Sequence, residues 1–135
     1  MGDRESNSDP DFRVLVIDDD VQVRDTVRAI LERAGFEVAV AADGEEGLTL
    51  HGANPAHVVI SDIIMPGKEG IETIIALRRA HPDLGIIAMS GAMPGGNLDF
   101  LEFAEKLGTD RILTKPFSAE KLLGTVRDLL PPAPT

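Results

Sequence analysis

The sequence predicts an α/β fold in which five βα units build one doubly wound, five-stranded parallel sheet. Short apolar runs rich in Val, Ile and Leu alternate with amphipathic stretches of helical length, as expected when helices cover both faces of a parallel sheet. The length of 135 residues suits one compact domain. The predicted strands are 13–17, 37–41, 57–61, 86–89 and 111–114.

Five helices are expected after these strands. The first follows Asp20 with apolar side chains at helical spacing, and the third covers 71–80. Polar residues suited to capping a helix N-terminus precede four of the helices, and two helices are followed by a glycine suited to ending them. The cap residues are Asp20, Asp43, Asn97 and Ser118, and the two glycines are Gly35 and Gly108.

The composition excludes several classes of protein. With 13 Lys and Arg against 23 Asp and Glu, the net charge is −10, which argues against a basic surface that binds nucleic acid. The chain has no cysteine, so disulfides, thiolate metal sites and thiol catalysis are excluded. No apolar run approaches the roughly 20 residues of a membrane-spanning helix. We therefore expect a cytoplasmic protein that makes no membrane contact.

The two ends differ in composition from the middle of the chain. Residues 1–11 hold four acidic residues and one arginine without apolar periodicity, which predicts a disordered acidic tail. The prolines of 131–135 end the last helix and favour an extended tail or the start of a linker. The folded domain is expected over 12–130.

Polar side chains follow four of the predicted strands. In a parallel sheet these positions meet at one edge, where open α/β folds bind ligands, and with the strand order 2-1-3-4-5 the four strands are neighbours. The residues are Asp18, Asp19 and Asp20 after the first strand, Asp62 after the third, Ser90 after the fourth and Lys115 after the fifth. Asp20 is most simply the cap of the next helix, and the others form the candidate site.

The chemistry of these side chains points to phosphoryl transfer. Neighbouring carboxylates repel by about 1–4 kcal/mol per pair at effective dielectric constants of 80 to 20, and Mg²⁺ would offset this because it prefers a few carboxylate oxygens, a carbonyl and retained waters. A carboxylate beside Mg²⁺ and Lys115 is equipped to accept a phosphoryl group. The chain has no Gly-rich phosphate loop after the first strand and no GxSxG motif around Ser90, so neither nucleotide binding nor serine hydrolysis is supported.

Four segments resemble the receiver domain of the two-component response-regulator family, in particular single-domain, chemotaxis-regulator-like members. They are VLVIDDD (14–20), VVISDIIMPGKEG (58–70), AMSGA (88–92) and LTKPFS (113–118). They lie in order at the ends of successive strands, and the likeness covers about 12–130. The resemblance implies the flavodoxin-like receiver fold.

The resemblance also implies roles for the acidic residues. Asp62 would be the phosphoacceptor. Asp19 and Asp62 would bind Mg²⁺ through their side chains, Asp18 would support the metal through water, and the main-chain carbonyl of Ile64 would be a further ligand.

Further implications concern the phosphoryl group and the partners. Ser90 and Lys115 would contact the phosphoryl oxygens, with a cis peptide bond before Pro116. The phosphoryl donor would be a sensor histidine kinase or a histidine phosphotransfer protein. The receiver itself would catalyse the transfer and a slow hydrolysis of the aspartyl phosphate, and it would not otherwise be an enzyme. Phosphorylation would draw Ser90 and the loop 91–97 inward and alter binding to a downstream effector through the fourth helix, fifth strand and fifth helix. We expect a monomer or a dimer linked to phosphorylation.

Two features depart from the family pattern. The position three residues before the lysine is commonly aromatic, whereas here it is Ile112, which cannot make the same ring movement. The stretch from Ser90 to Lys115 is also longer than usual because of GAMPGGN at 91–97. The face that contains the fourth helix is therefore expected to differ.

Two other interpretations of the sequence stay open. Asp18 and Asp20 also fit the Asp-x-Asp pattern of a haloacid-dehalogenase-type phosphatase, with Asp18 as nucleophile and Ser90 and Lys115 as helpers, although this leaves Asp62 without a role. The chain could instead be a receiver-like interaction module that works without phosphorylation. Ile112 and the altered loop are compatible with that function.

Overall fold

One parallel sheet forms the centre of the molecule. It consists of β1 (Arg13–Ile17), β2 (Glu37–Ala41), β3 (Val58–Asp62), β4 (Gly85–Ser90) and β5 (Arg111–Thr114). The strands pair in parallel in the order β2-β1-β3-β4-β5, so the predicted doubly wound order is confirmed. This computed structural model describes residues 12–63, 69–91 and 106–131.

Two strands differ by one residue from their predicted bounds. β3 starts and ends one residue later than predicted, and β4 is one residue longer at each end. The apolar run stops before Ser61, but the backbone ladder continues and pairs Asp62 with Met89. Because ladder hydrogen bonds do not depend on side-chain polarity, Asp62 is the last residue of its strand and not the first of the loop.

The described helices are α1 (Val21–Arg33), α2 (Gly44–Ala53), α3 (Glu69–Ala80) and α4 (Ala119–Asp128). α4 is the helix that the sequence predicts as its fifth, whereas most of the predicted fourth helix lies outside the described residues. The tails 1–11 and 132–135 also lie outside them, so the predicted domain boundaries stay predictions. Within the described ranges no helix has both the length and the apolar character needed to cross a membrane.

The predicted helix caps are present where the structure describes them. The side chains of Asp20, Asp43 and Ser118 accept hydrogen bonds from backbone N–H groups of the first turns of α1, α2 and α4. Gly35 and Gly108 have φ angles of 102° and 107°, the left-handed conformation that glycine adopts without strain. These local signals explain why α1, α2 and α4 begin where the sequence predicts and why α1 ends before Gly35. α3, predicted over 71–80, begins two residues earlier, at Glu69.

Helices cover both faces of the sheet and bury two apolar layers. On one face α2 and α3 pack over β-strand residues such as Leu15 and Val59. On the other face α1 and α4 pack over Val14 and Ile60. These residues are next to Leu15 and Val59 in the sequence, and their side chains point to the opposite face because side chains alternate along a strand. The strands are therefore held rigidly on both sides, which fixes the positions of the residues at their carboxyl ends.

Candidate functional site

A buried cluster of charged side chains lies at the edge of the sheet where the strands end. Asp18 directly follows β1, Asp62 ends β3, and Lys115 directly follows β5. The Lys115 ammonium donates hydrogen bonds to Oδ2 of Asp18 and to Oδ2 of Asp62, each at 3.0 Å. Asp18 is 0% exposed and Asp62 is 5% exposed. One cation thus joins two carboxylates that come from different strands.

The electrostatics of Lys115 follow from this arrangement. Burial on its own lowers the pKa of Lys115, but the hydrogen bonds and charge attraction from Asp18 and Asp62 outweigh burial and hold the pKa above its ordinary value. Lys115 therefore carries its positive charge throughout the neutral pH range. It is partly open to solvent, with 24% of its side chain exposed.

The acidic residues also meet the requirements of a metal site. Asp18, Asp19 and Asp62 each place a carboxylate oxygen within 4.8 Å of the others. Two of these side chains are buried, and Asp19 lies on the exposed side. Three negative charges around one point repel one another, and a single ammonium does not neutralise them. Because carboxylate oxygens are the donors that Mg²⁺ prefers, the donor set fits a hard divalent cation.

Hydrogen bonds to both the side chain and the backbone of Asp18 hold it in place. Its Oδ1 accepts a hydrogen bond from the N–H of Asp20 at 2.9 Å, and its own N–H donates to the carbonyl of Ala41 at 3.1 Å. Asp20 in turn caps α1 by accepting from the N–H of Gln22 at 2.9 Å. The prediction that Asp20 is a cap is therefore confirmed.

Arg24 is a contributor that sequence reasoning missed. Its Nη1 donates a hydrogen bond to the main-chain carbonyl of Asp18 at 2.8 Å. A long basic side chain one turn into the helix that starts at the site could have indicated this contact, since such a side chain can fold back to the end of the strand.

Ser90 and Lys115 are joined through their backbones. The N–H of Lys115 donates to the carbonyl of Ser90 at 2.7 Å, and the Ser90 hydroxyl, which is 0% exposed, donates to the Gly91 carbonyl at 3.2 Å. The predicted cis bond between Lys115 and Pro116 is present. Ser90 thus lies at the end of the strand that separates Asp62 from Lys115.

Other predicted features are only partly described. Ile64, the expected carbonyl ligand, lies outside the described residues, as does the loop 91–97 beyond Gly91. Ile112 is half-buried and packs against the core layer under α2 and α3.

Gly70 is a second residue whose role the sequence did not show. A Cβ atom at this position would lie 2.8 Å from the Ile63 Cα and 3.0 Å from the Ile63 carbonyl carbon, and closer still to the Asp62 carbonyl oxygen. No side chain fits there without movement of the backbone. The first turn of α3 therefore packs directly on the main chain of Asp62.

Comparison with known proteins agrees with this geometry. The family model described as the response regulator receiver domain matches residues 14–127. The response regulator MprA of Mycobacterium sp. (strain KMS) is 36% identical over 118 residues, which are 87% of this chain and 50% of that protein. The transcriptional regulatory protein CpxR of Escherichia coli (strain K12) is also 36% identical, over 87% of this chain and 49% of CpxR. The chain thus spans about half the length of these relatives.

Two solved structures show the same fold over almost their whole length. The CheY-like receiver domain protein of Methanospirillum hungatei JF-1 superposes with a TM-score of 0.79 at 29% identity, over 87% of this chain and 91% of that one. The chemotaxis protein CheY4 of Vibrio cholerae gives a TM-score of 0.79 at 31% identity, over 88% and 98% of the two chains. The chain therefore belongs to the response regulator receiver domain family of two-component signalling.

Proposed function

We propose that this receiver accepts a phosphoryl group on Asp62 from a phosphohistidine of a sensor histidine kinase or a histidine phosphotransfer protein. The observation that carries the proposal is the Lys115 ammonium at 3.0 Å from both Asp18 and Asp62, beside a third carboxylate, Asp19. A nucleophilic carboxylate with a cation and metal-suited donors around it has what phosphoryl transfer requires.

The two buried carboxylates are not equivalent, and the difference favours Asp62 as the nucleophile. Asp18 is fully buried, and its two oxygens accept hydrogen bonds from Asp20 and Lys115. Asp62 ends its strand and retains some exposure. The haloacid-dehalogenase interpretation requires Asp18 to attack, and a carboxylate with no solvent exposure is poorly suited to that step.

The transfer step balances with these residues. An Asp62 Oδ atom attacks phosphorus while the bond from phosphorus to the donor imidazole breaks, and the imidazole leaves with the electron pair. Lys115 would donate a hydrogen bond to a phosphoryl oxygen in place of its bond to Asp62, and the Ser90 hydroxyl would donate a second one in place of its bond to the Gly91 carbonyl. Asp19 and Asp62 would hold Mg²⁺, with Asp18 acting through water and the Ile64 carbonyl completing the protein ligands. Bound Mg²⁺ neutralises charge on the transferring oxygens.

The consequence of phosphorylation follows from charge. The phosphoryl group adds a charge of about −1.5 to −2, which draws Lys115 and the end of β4 toward Asp62. Since β5 continues into α4, the surface of β5, α4 and the predicted fourth helix changes and alters binding to an effector.

The receiver itself catalyses the transfer and a slow hydrolysis of the aspartyl phosphate. With a net charge of −10 this chain does not itself bind nucleic acid.

Incubation with acetyl phosphate and Mg²⁺, followed by intact mass measurement, tests the proposal. The wild-type chain is expected to gain one phosphoryl group, and chelation of the metal by EDTA is expected to prevent this. Asp62→Asn is expected to remove the adduct, whereas Asp18→Asn is expected to slow its formation without removing it. An adduct on Asp62→Asn would overturn the assignment. Loss of the adduct only in Asp18→Asn would support the phosphatase, and no adduct on the wild type would support the interaction module.

A further inference from the structure

The carboxylate of Asp19 is held differently from those of its neighbours. Asp18 and Asp62 are buried and both bind Lys115. Asp19 is exposed, and among the described residues its carboxylate has no hydrogen-bond partner. Its position therefore depends on the main chain that carries it, above all on the peptide unit that joins Asp18 to Asp19.

That peptide unit is fixed by a side chain of α1. The Asp18 carbonyl and the Asp19 N–H belong to one plane, and Nη1 of Arg24 donates to this carbonyl at 2.8 Å. Arg24 is itself anchored, because its backbone N–H donates to the Asp20 carbonyl at 3.0 Å. A rotation of the peptide plane, which would swing the Asp19 side chain, breaks the bond to Arg24.

We propose that Arg24 is a positioning residue for Asp19 and, through it, for the divalent-cation site. The inference rests on the proposed function in taking Asp19 as a metal ligand. Groups that orient metal ligands from outside commonly change the metal affinity by about 10- to 100-fold when removed, and a guanidinium hydrogen bond to a carbonyl belongs to the stronger hydrogen bonds.

Charge and positioning predict opposite results when Arg24 is replaced. The guanidinium repels a divalent cation, so a purely electrostatic role predicts tighter Mg²⁺ binding after its removal. A positioning role predicts weaker binding, because the Asp19 carboxylate loses its fixed place. The sign of the change therefore distinguishes the two.

The experiment measures the Mg²⁺ dissociation constant of the unphosphorylated full chain by calorimetry. Arg24→Met is expected to weaken binding about 10-fold, and Arg24→Lys, which keeps the charge and a donor, is expected to restore part of the affinity. Arg28→Met is the matched control, because Arg28 is an exposed residue one turn further along α1 whose salt bridge is to Asp25 at 3.8 Å. Its binding is expected to be unchanged or up to about fourfold tighter.

Two further measurements keep the outcome clear. The amide signals of residues 18–20 in NMR spectra of the metal-free protein are expected to shift in Arg24→Met and not in Arg28→Met, and thermal unfolding shows whether each variant is folded. If Arg24→Met does not fold, Arg24→Gln takes its place. Wild-type or tighter Mg²⁺ binding by the folded variant, or equal weakening in Arg28→Met, would overturn the inference. If the wild type binds no Mg²⁺, it is the proposed function that fails.

Discussion

The two edges of the sheet arrange charge in opposite ways. At the edge where the strands start, arginines and carboxylates pair one to one: Arg13 binds Glu37 and Arg78 binds Asp110, each at 2.7 Å. At the edge where the strands end, the carboxylates of Asp18, Asp19 and Asp62 lie close together, and two of them, Asp18 and Asp62, share the ammonium of Lys115. The charges of these two pairs balance, whereas the cluster at the ending edge holds three carboxylates beside one ammonium in a partly buried position.

This difference separates stability from function. The ion pairs at the starting edge connect different parts of the fold. Arg78, for example, binds Asp110 and also donates to the carbonyls of Gly108, Pro82 and Leu84. Concentrated like charge costs stability and is retained where a cation or a phosphoryl group is to be bound. Substitutions at the starting edge should therefore change the free energy of unfolding, and substitutions at the ending edge should change Mg²⁺ affinity and phosphoryl uptake.

The largest effect is expected from loss of the shared cation. Lys115→Met should slow phosphoryl uptake from acetyl phosphate by about 100-fold or more, because it removes a charged donor from the transferring oxygens. Mg²⁺ affinity in calorimetry should stay equal or increase, since a positive charge has been removed. An uptake rate within tenfold of the wild type would contradict the role given to Lys115.

At the starting edge, Arg78→Met should affect folding alone. The variant removes the Arg78 donor from three carbonyls and from Asp110, which keeps only the Ile86 N–H at 2.9 Å among its described side-chain partners. The free energy of unfolding, measured by urea titration, should fall by about 2–3 kcal/mol. Mg²⁺ affinity should be unchanged. Arg111→Met is the control, because this exposed arginine donates to the neighbouring Asp110 carbonyl and has no other side-chain hydrogen bond within the described ranges. A change below about 0.5 kcal/mol is expected. A weakened metal site in Arg78→Met would show that the two edges are not independent.

Gly70→Ala tests the contact between α3 and the main chain at Asp62. The new methyl group overlaps the Asp62 and Ile63 backbone, so we expect a loss of about 2 kcal/mol in unfolding free energy together with slower phosphoryl uptake. Gly52 and Gly124 lie in helices where, in the part of the chain that the structure describes, a Cβ atom would meet nothing within 4 Å beyond the helix's own neighbouring backbone. Their alanine variants should gain about 0.5–1 kcal/mol and keep wild-type uptake. A stabilised Gly70→Ala would refute the close approach.

The smallest effect concerns acid sensitivity at the starting edge. Burial, and then the charge of His81, lowers the pKa of His51, and its Nδ1 accepts the N–H of Ala56 at 3.1 Å. Below a pH of about 6.5, the unfolded chain binds more protons at His51 than the folded chain does. The free energy of unfolding should therefore decrease as the pH is lowered from 7 to 5. In urea titrations between pH 7 and 5, His51→Asn, which keeps an acceptor and does not titrate there, should show a smaller fall. An equal fall in both proteins would exclude His51 as the cause.

The fold could be predicted because its signals are local. Apolar runs, the caps at Asp20, Asp43 and Ser118 and the glycines after two helices each depend on a few neighbouring residues. The meeting of Asp18, Asp62 and Lys115 follows from strand order together with the rule that parallel strands end at one edge.

Contacts that form only when separate elements pack together could not be predicted in the same way. The bond from Arg24 to the Asp18 carbonyl depends on a side-chain rotamer, and the need for glycine at position 70 depends on how closely a helix approaches a strand. The two bonds of Lys115 likewise require the finished geometry, because the sequence shows only that a lysine is nearby.

The ammonium of Lys115 joins a carboxylate 97 positions earlier in the chain. A chain that is still being synthesised therefore cannot assemble this charged cluster until β5 has left the ribosomal exit tunnel and docked beside β4. If Asp62 takes up a phosphoryl group as proposed, only a chain in which β5 has docked on the sheet would have Lys115 beside the acceptor.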